Sequence, residues 1–322
     1  MHTECSVDLD AETSMRLFRN ALSSNRELLD THPWLHRWLF ADLQIARGER
    51  REMSFYEYEG VSHIPKFFSF LRGFNYPDYL AAEQIAPLAA ISAARDLACA
   101  ARIGVDIPEA WVRNVARYNA QDYLFQHLYP VPERQRVRVL LDFGAGHGRL
   151  ANLAFGAPGT ATQVYIAVDA IPATYLSQRA YFYGLGLRSA DYVDLLDKSQ
   201  SFAFNELIKN HDVIHIPTWR LDLIPDASVD MVCCVQVLKE LPRRLVPYVV
   251  REFARILKPG AALYVRDHLQ FHDPTHMPID EILTTGGFSL EFRPQIRDRE
   301  ELHGLPRIWR RFDPSLYFRE TD

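Results

Sequence analysis

The chain is poor in cysteine, with 4 among 322 residues, and the four form neither a CxxC pair nor a spaced metal-binding set. A disulfide scaffold and a cysteine-ligated metal are thereby excluded. Cys233 and Cys234 are adjacent inside an apolar run, where consecutive strand side chains point to opposite faces. They read as reduced, buried thiols of a cytoplasmic protein. Long hydrophobic runs are missing as well. Each apolar stretch is broken well before the roughly 18 residues that a membrane span needs. The opening residues MHTECSVDLDAETS are acidic and lack an apolar core, so a secretory signal is not expected. Nor is one sign of charge in excess. Lys and Arg number 36, Asp and Glu 41, and the net charge is -5. Such a balance exerts no general pull on nucleic acid or anionic membrane.

What is present is an ordinary globular composition, 48% hydrophobic and 24% charged. There is ample apolar material to bury, which excludes disorder as the main state. The length suits about two domains, or one large one with an extension.

The first 130 or so residues hold no convincing run of strands. Leu35, Trp38, Leu39 and Leu43 share a helical face within residues 11–47. Residues 54–77 are aromatic and broken by Gly60, Pro65, Gly73 and Pro77. Residues 78–102 form an Ala-rich helix with Leu80, Ile85, Leu88 and Ile91. Asp106 and Glu109 make a capping box around Pro108, and a further helix runs to about Leu128. At Pro130 and Pro132 the texture changes. Strand-like runs now alternate with helical stretches: VRVLLDFG, VYIAVDA (164–170), DVIHIP (212–217), VDMVCCVQV (229–237) and AALYVRD (261–267), then FSLEFR and RIWRRF. This alternation predicts a doubly wound α/β sheet. Two regions follow, a helical one at 1–130 and an α/β domain at 131–322.

The sharpest motif is VLLDFGAGHGRL at 139–150. A strand ends at Asp142, and Gly144, Gly146 and Gly148 follow before Arg149 and Leu150 open a helix. So tight a turn needs residues without Cβ, so that a ligand can approach the backbone. The dinucleotide fingerprint G-x-G-x-x-G/A does not fit, because Arg149 stands at the sixth place counted from Gly144. The pattern is D-x-G-x-G-x-G. It resembles motif I of the class I S-adenosylmethionine-dependent methyltransferases.

The resemblance covers roughly residues 136–312, in the right order. Asp169 ends the next strand, 219–242 resembles the adenine-cupping loop with its following strand, and REFARILKPGAALYVRD (251–267) resembles the helix, turn and strand after it. GGF at 286–288 matches the usual approach to the sixth strand. The implied fold is Rossmann-like, a doubly wound seven-stranded sheet with an N-terminal helical extension. The implied cofactor is S-adenosylmethionine, held by Asp142, Gly144, Ala145, Gly146 and Gly148, by Asp169 on the ribose, and by Ala170 and Ile171 beside the adenine. Trp219 either stacks on the adenine or belongs to the core. Val235 closes the cofactor set. The segment 187–211 is longer than usual for the family, and Thr218 stands where many relatives carry an acid, followed by Trp219 and Arg220 with Asp222 close by.

The acceptor chemistry lies at the carboxyl edge of the sheet. A hydroxyl acceptor gains from a general base. His268, immediately beyond the fifth strand, is the first candidate, with Asp267 as its orienter; the alternative for His268 is a surface loop histidine. Glu240, after the fourth strand, either faces the acceptor or forms a solvated pair with Lys239. His272, Asp273 and His276 carry metal-ligating atoms, but the acidic ligand set of metal-dependent sugar O-methyltransferases is not evident, and no metal is expected. His147 either meets the methionine carboxylate or points to solvent, and Arg149 reads as structural. The aromatic N-terminal region, with Tyr56, Tyr58, His63, Phe67, Phe68, Tyr118 and Tyr123, is expected to cover the site.

Together these features predict methyl transfer to a small molecule, most plausibly a hydroxyl of a sugar or another secondary metabolite in natural-product biosynthesis. Two alternatives stand beside it. One is a non-methylating reaction, such as cyclisation or isomerisation, with the same cofactor; the other is a protein or RNA methyltransferase. The expected partner is a small molecule, without nucleic acid or membrane, in the cytoplasm; a homodimer stays open.

Overall fold

Asp10 accepts a hydrogen bond from the backbone N–H of Thr13 at 2.7 Å and so opens the first helix, α1, Ala11–Ser24. The computed structural model describes residues 10–27, 58–73, 77–127, 136–241, 243–267, 278–294 and 304–313. Three more helices precede the sheet: α2, His63–Arg72, α3, Ala82–Ile103, and α4, Glu109–His127. The helical reading of 78–102 and of the stretch up to Leu128 thus holds within a few residues. The face of Leu35, Trp38, Leu39 and Leu43 lies outside the described residues.

Strands and helices then alternate. Strand β1 is Val139–Phe143, α5 Ala151–Gly156, β2 Val164–Asp169 and α6 Pro172–Gly184. Next come β3, Ser189–Asp191, α7, Tyr192–Asp197, α8, Phe204–Asn210, and β4, Val213–Pro217. The chain continues with β5, Val229–Val235, α9, Val246–Ile256, and β6, Leu257–Asp267. It ends with α10, Ile279–Thr285, β7, Phe288–Phe292, and β8, Leu305–Arg311. The sheet order is β3-β4-β2-β1-β5-β6-β8-β7. All pairings are parallel except those of β8 with β6 and with β7.

One correction concerns the number of strands. The resemblance implies seven, and the described residues form a sheet of 8. The addition is β3, which pairs with β4 at the far edge. Three residues are too few to carry a readable alternation. The long segment 187–211 also holds two short helices, α7 and α8.

Alternate residues of each strand feed two cores. Leu141, Phe143, Ile166, Val168, Ile216 and Val265 belong to one core, to which α9 contributes Val246, Val249, Val250 and Phe253 at helical spacing. Leu140, Tyr165, Ala167, Met231 and Tyr264 pack under α3, α4 and the Tyr181–Phe182 end of α6. Cys234 lies in the first core and Cys233 in the second. Burial pushes both thiols far above their usual range. No helix among the described residues is long and apolar enough to cross a membrane.

Buried polar ties reinforce this packing. On α3, Asp96 accepts hydrogen bonds from Tyr181 Oη (2.6 Å) and Asn152 Nδ2 (2.7 Å), which fastens α3 to α6 and α5. Burial pushes the Asp96 carboxyl up to about 7. At the other edge His215 Nδ1 donates to Asp191 at 2.6 Å, and Arg179 Nε lies 3.7 Å from the same carboxylate. Burial by itself would raise Asp191. His215 and then Arg179 outweigh it and bring the carboxyl down to about 2 from 3.8. An acid lowered in the folded state adds stability above its unfolded pKa and gives it up as pH falls through the folded one. Asp191→Asn should therefore cost about 2 kcal/mol at neutral pH, with the difference closing between about pH 4 and pH 2. Urea denaturation of both proteins across that range checks it; a difference independent of pH would remove the ion pair as its cause.

Candidate active site

In a doubly wound sheet the ligand cleft opens where neighbouring strands send their connections to opposite sides. Here that point lies between β1 and β5. From β1 the chain passes to β2, β3 and β4 on one side, then returns to β5 on the other. Two segments meet there, the glycine turn after β1 and residues 236–240 after β5.

The glycine turn is held by its own backbone. Gly144 N and Ala145 N donate to Val168 O at 2.9 and 3.1 Å, and Gly148 N donates to Ala145 O at 2.8 Å. At Gly144 a Cβ would stand 2.3 Å from Val237 Cγ2, so a side chain would push the β5 loop away. At Gly146 the reason is different. Its φ is 59°, in the left-handed region, and a Cβ would meet no heavy atom within 4 Å. The turn is open at Gly146, as close approach of a ligand requires.

Asp169, the last residue of β2, locks the turn from the side. Its carboxylate accepts from Gly146 N (3.0 Å), Ala170 N (2.8 Å) and Ile171 N (3.1 Å). Gln178 of α6 donates to Gly146 O at 2.7 Å. Burial raises the Asp169 carboxyl, and the backbone donors of Ile171 and Ala170 work against that rise. Ile171 is half-buried and Ala170 buried beside it. The structure thus brings Gly144, Ala145, Gly146, Gly148, Asp169, Ala170 and Ile171 into one neighbourhood.

Asp142 lies deeper. It shares the sheet face of Leu140, beneath α4, and accepts a hydrogen bond from Tyr165 Oη. Burial pushes its carboxyl up to about 7. His147 does not point to solvent. Its ring is buried against Phe67 (centroids 5.5 Å apart), Phe68 (5.2 Å) and Tyr181 (5.1 Å). Burial first, and Arg149 second, hold its imidazole down at about 3, so it is neutral. Trp219 is 1% exposed and meets Phe18 of α1 edge-on at 5.5 Å. It is placed in the core, under the rim of the cleft.

The β5 segment carries an exposed carboxyl, Glu240. Val235 pairs with Arg266 in the sheet. Gln236 follows with φ 60°, an unusual conformation for a residue with a side chain, fixed by its N–H donating to Arg266 O at 2.8 Å. Nothing in the sequence signals that turn. Glu240 is exposed, on the loop whose Val237 lies against Gly144 of the glycine turn. Burial, opposed by Lys239 and reinforced by Asp267 and Asp169, pushes its carboxyl up to about 7.

Asp267 is fully buried and does not line the opening. Its carboxylate accepts from Lys239 N at 3.1 Å, and its carbonyl accepts from Arg307 Nη2 at 3.0 Å. It orients the backbone next to Glu240. His268, His272, Asp273 and His276 lie outside the described residues. Among the described residues no three His, Cys, Asp or Glu side chains gather as a metal set.

The solved structures similar to the chain include the YcgJ protein of Bacillus subtilis, 18% identical over 54% of this chain and 70% of that one, with a TM-score of 0.36. A TehB-like SAM-dependent methyltransferase of Corynebacterium glutamicum is 13% identical over 67% of this chain and 94% of that one, with a TM-score of 0.39. An O-methyltransferase family protein of Burkholderia thailandensis is 16% identical over 62% of this chain and 60% of that one, with a TM-score of 0.38. No curated protein matches the chain. The model of the methyltransferase domain matches residues 111–306, more than half of the chain. The chain therefore belongs to the methyltransferase-domain family, and with it to the class I S-adenosylmethionine-dependent methyltransferases.

Proposed function

We propose that the protein methylates a hydroxyl of a small molecule, a sugar or another secondary metabolite, in the cytoplasm. The observation that carries the reading is the placement of Glu240, a carboxyl on the loop that Val237 packs against Gly144 of the glycine turn and that Asp267 holds through Lys239 N. A base poised near the working pH is what a hydroxyl acceptor gains from.

The residues present fit the cofactor that the family implies. Gly146 leaves open space at a backbone a ligand can approach, and Asp169 offers the acceptor oxygens that ribose hydroxyls require. S-Adenosylmethionine, when bound, supplies a methyl group already activated by its sulfonium. The protein's own work is to align the acceptor, exclude water and receive a proton. Glu240 takes the proton of the acceptor hydroxyl as the new carbon–oxygen bond forms. Asp267 keeps the Glu240 loop in place through Lys239 N.

Incubation with methyl-labelled cofactor and a panel of sugars and phenols tests the reading. The expected products are a labelled ether and S-adenosylhomocysteine. Turnover of an acceptor without S-adenosylhomocysteine would point to a cyclisation or isomerisation, and label in protein or RNA would replace the small-molecule acceptor.

The cradle has its own test. Gly146 and Gly104, with φ 59° and 71°, are both left-handed, and both have open space where a Cβ would stand. Each Ala variant should lose about 1 kcal/mol of stability from backbone strain. Only Gly146→Ala should also bind S-adenosylhomocysteine roughly tenfold more weakly in calorimetry, because only there does the methyl group enter the cleft. Equal affinity in the two variants sinks the assignment of the cradle.

A further inference from the structure

We propose that Asp122, contributed by the N-terminal helical region, is the positioning residue that sets the glycine turn and the Glu240 loop relative to each other. It rests on the reading of the cleft as a cofactor site. Asp122 lies on α4, is fully buried, and accepts three side-chain donors. Arg149 Nη2 donates to its Oδ2 at 2.5 Å. Arg266 Nη1 and Tyr264 Oη donate to its Oδ1 at 2.8 and 2.7 Å.

The two arginines lead to the two halves of the cleft. Arg149 follows Gly148 at the end of the glycine turn, and its second nitrogen, Nη1, donates to Asn119 Oδ1 at 2.8 Å, one turn earlier on α4. Asn119 is held in turn by donating to Ser92 Oγ of α3 at 3.0 Å. Arg266 immediately precedes Asp267. The carbonyl of Arg266 fixes Gln236 N, and the carboxylate of Asp267 fixes Lys239 N, on either side of the segment that ends at Glu240. A single carboxylate therefore joins the cofactor turn to the base-bearing loop. Both contacts are hydrogen-bonded charge pairs removed from water, where direction and distance are tightly held.

The charge count gives a way to separate positioning from folding. Asp122, Arg149 and Arg266 together leave one positive charge. In Asp122→Asn two buried guanidiniums lose their shared anion, which destabilises the fold. Adding Arg149→Gln returns the sum to one positive charge, so the double variant should recover most of the thermal stability. It does not restore the tie to the glycine turn. Calorimetry with S-adenosylhomocysteine should therefore show affinity about tenfold or more below wild type in the folded double variant, as in any Asp122→Asn that folds. A purely structural role would lower the melting temperature and leave the affinity of folded protein unchanged. Variants that bind within about twofold of wild type would overturn the proposal while the cofactor site stands. A wild type that fails to bind S-adenosylhomocysteine would instead remove the reading of the cleft. Binding is measured without turnover, so the choice of acceptor does not enter.

Discussion

Glu240→Gln should reduce methyl transfer by about 100-fold or more and leave cofactor affinity nearly unchanged. The substitution keeps the size of the side chain and the backbone bond from Glu240 N to Val237 O at 2.9 Å. What it removes is the ability to accept a proton. The pH dependence follows from the same group. Its carboxyl is raised from 4.5 to about 7, so the ionised form that serves as base fills only as pH rises through about 7. The wild-type rate should climb across that range, and the residual rate of the Gln variant should not. Stability moves in the other direction. An acid raised in the folded state stabilises most below its unfolded pKa, and that contribution fades as pH rises towards about 7. The Gln variant should lose this decline and be no less stable than wild type at pH 8. Rates of both proteins with labelled cofactor from pH 5.5 to 8.5 decide the matter. An unaltered rate would move the proton-accepting role elsewhere, with His268 the next residue to replace.

The reason Glu240 ranks below His268 in the sequence is physical. A carboxylate in a Lys-Glu pair has no ordinary claim to a base's role at neutral pH. Its poise comes first from burial and then from Asp267 and Asp169, which arrive from two other strand ends and are close only after the sheet forms. By contrast, the glycine turn is legible at once, because open left-handed backbone restricts the residue type in the sequence itself. The strands are legible for a similar reason: two buried faces demand apolar runs ending in glycine or acid. Asp142 could have been placed by the same alternation. It shares the parity of Leu140, and that face lies beneath α4. The solvent-facing alternative for His147 fails because Phe67 and Phe68, from far upstream, pack against its ring. The division at residue 130 reflects a change of composition. In three dimensions Val112, Val115 and Phe125 of α4 share one core with Leu140 and Tyr264.

Trp219→Ala should be the most destabilising single substitution in the rim of the cleft, at about 3–5 kcal/mol. The indole is 1% exposed, follows directly on β4, and meets Phe18, which itself packs on Tyr175 at 5.3 Å. Removing it leaves a cavity between the sheet edge and α1 that neither rigid element can close. Against a typical domain stability of about 5–15 kcal/mol this is a large fraction, and α1 should lose protection from hydrogen exchange first. The same residue also separates two roles. Trp219→Phe keeps an aromatic ring against Phe18 and should cost about 1–2 kcal/mol. If Trp219 serves only the core, that variant binds S-adenosylhomocysteine within about twofold of wild type. If the indole forms a wall for the adenine, affinity falls by about tenfold or more, because the smaller ring gives up stacking area that the core does not need. Urea denaturation of Trp219→Ala measures the first quantity and calorimetry of Trp219→Phe the second. A loss below about 1 kcal/mol in the Ala variant would contradict the burial on which both expectations stand.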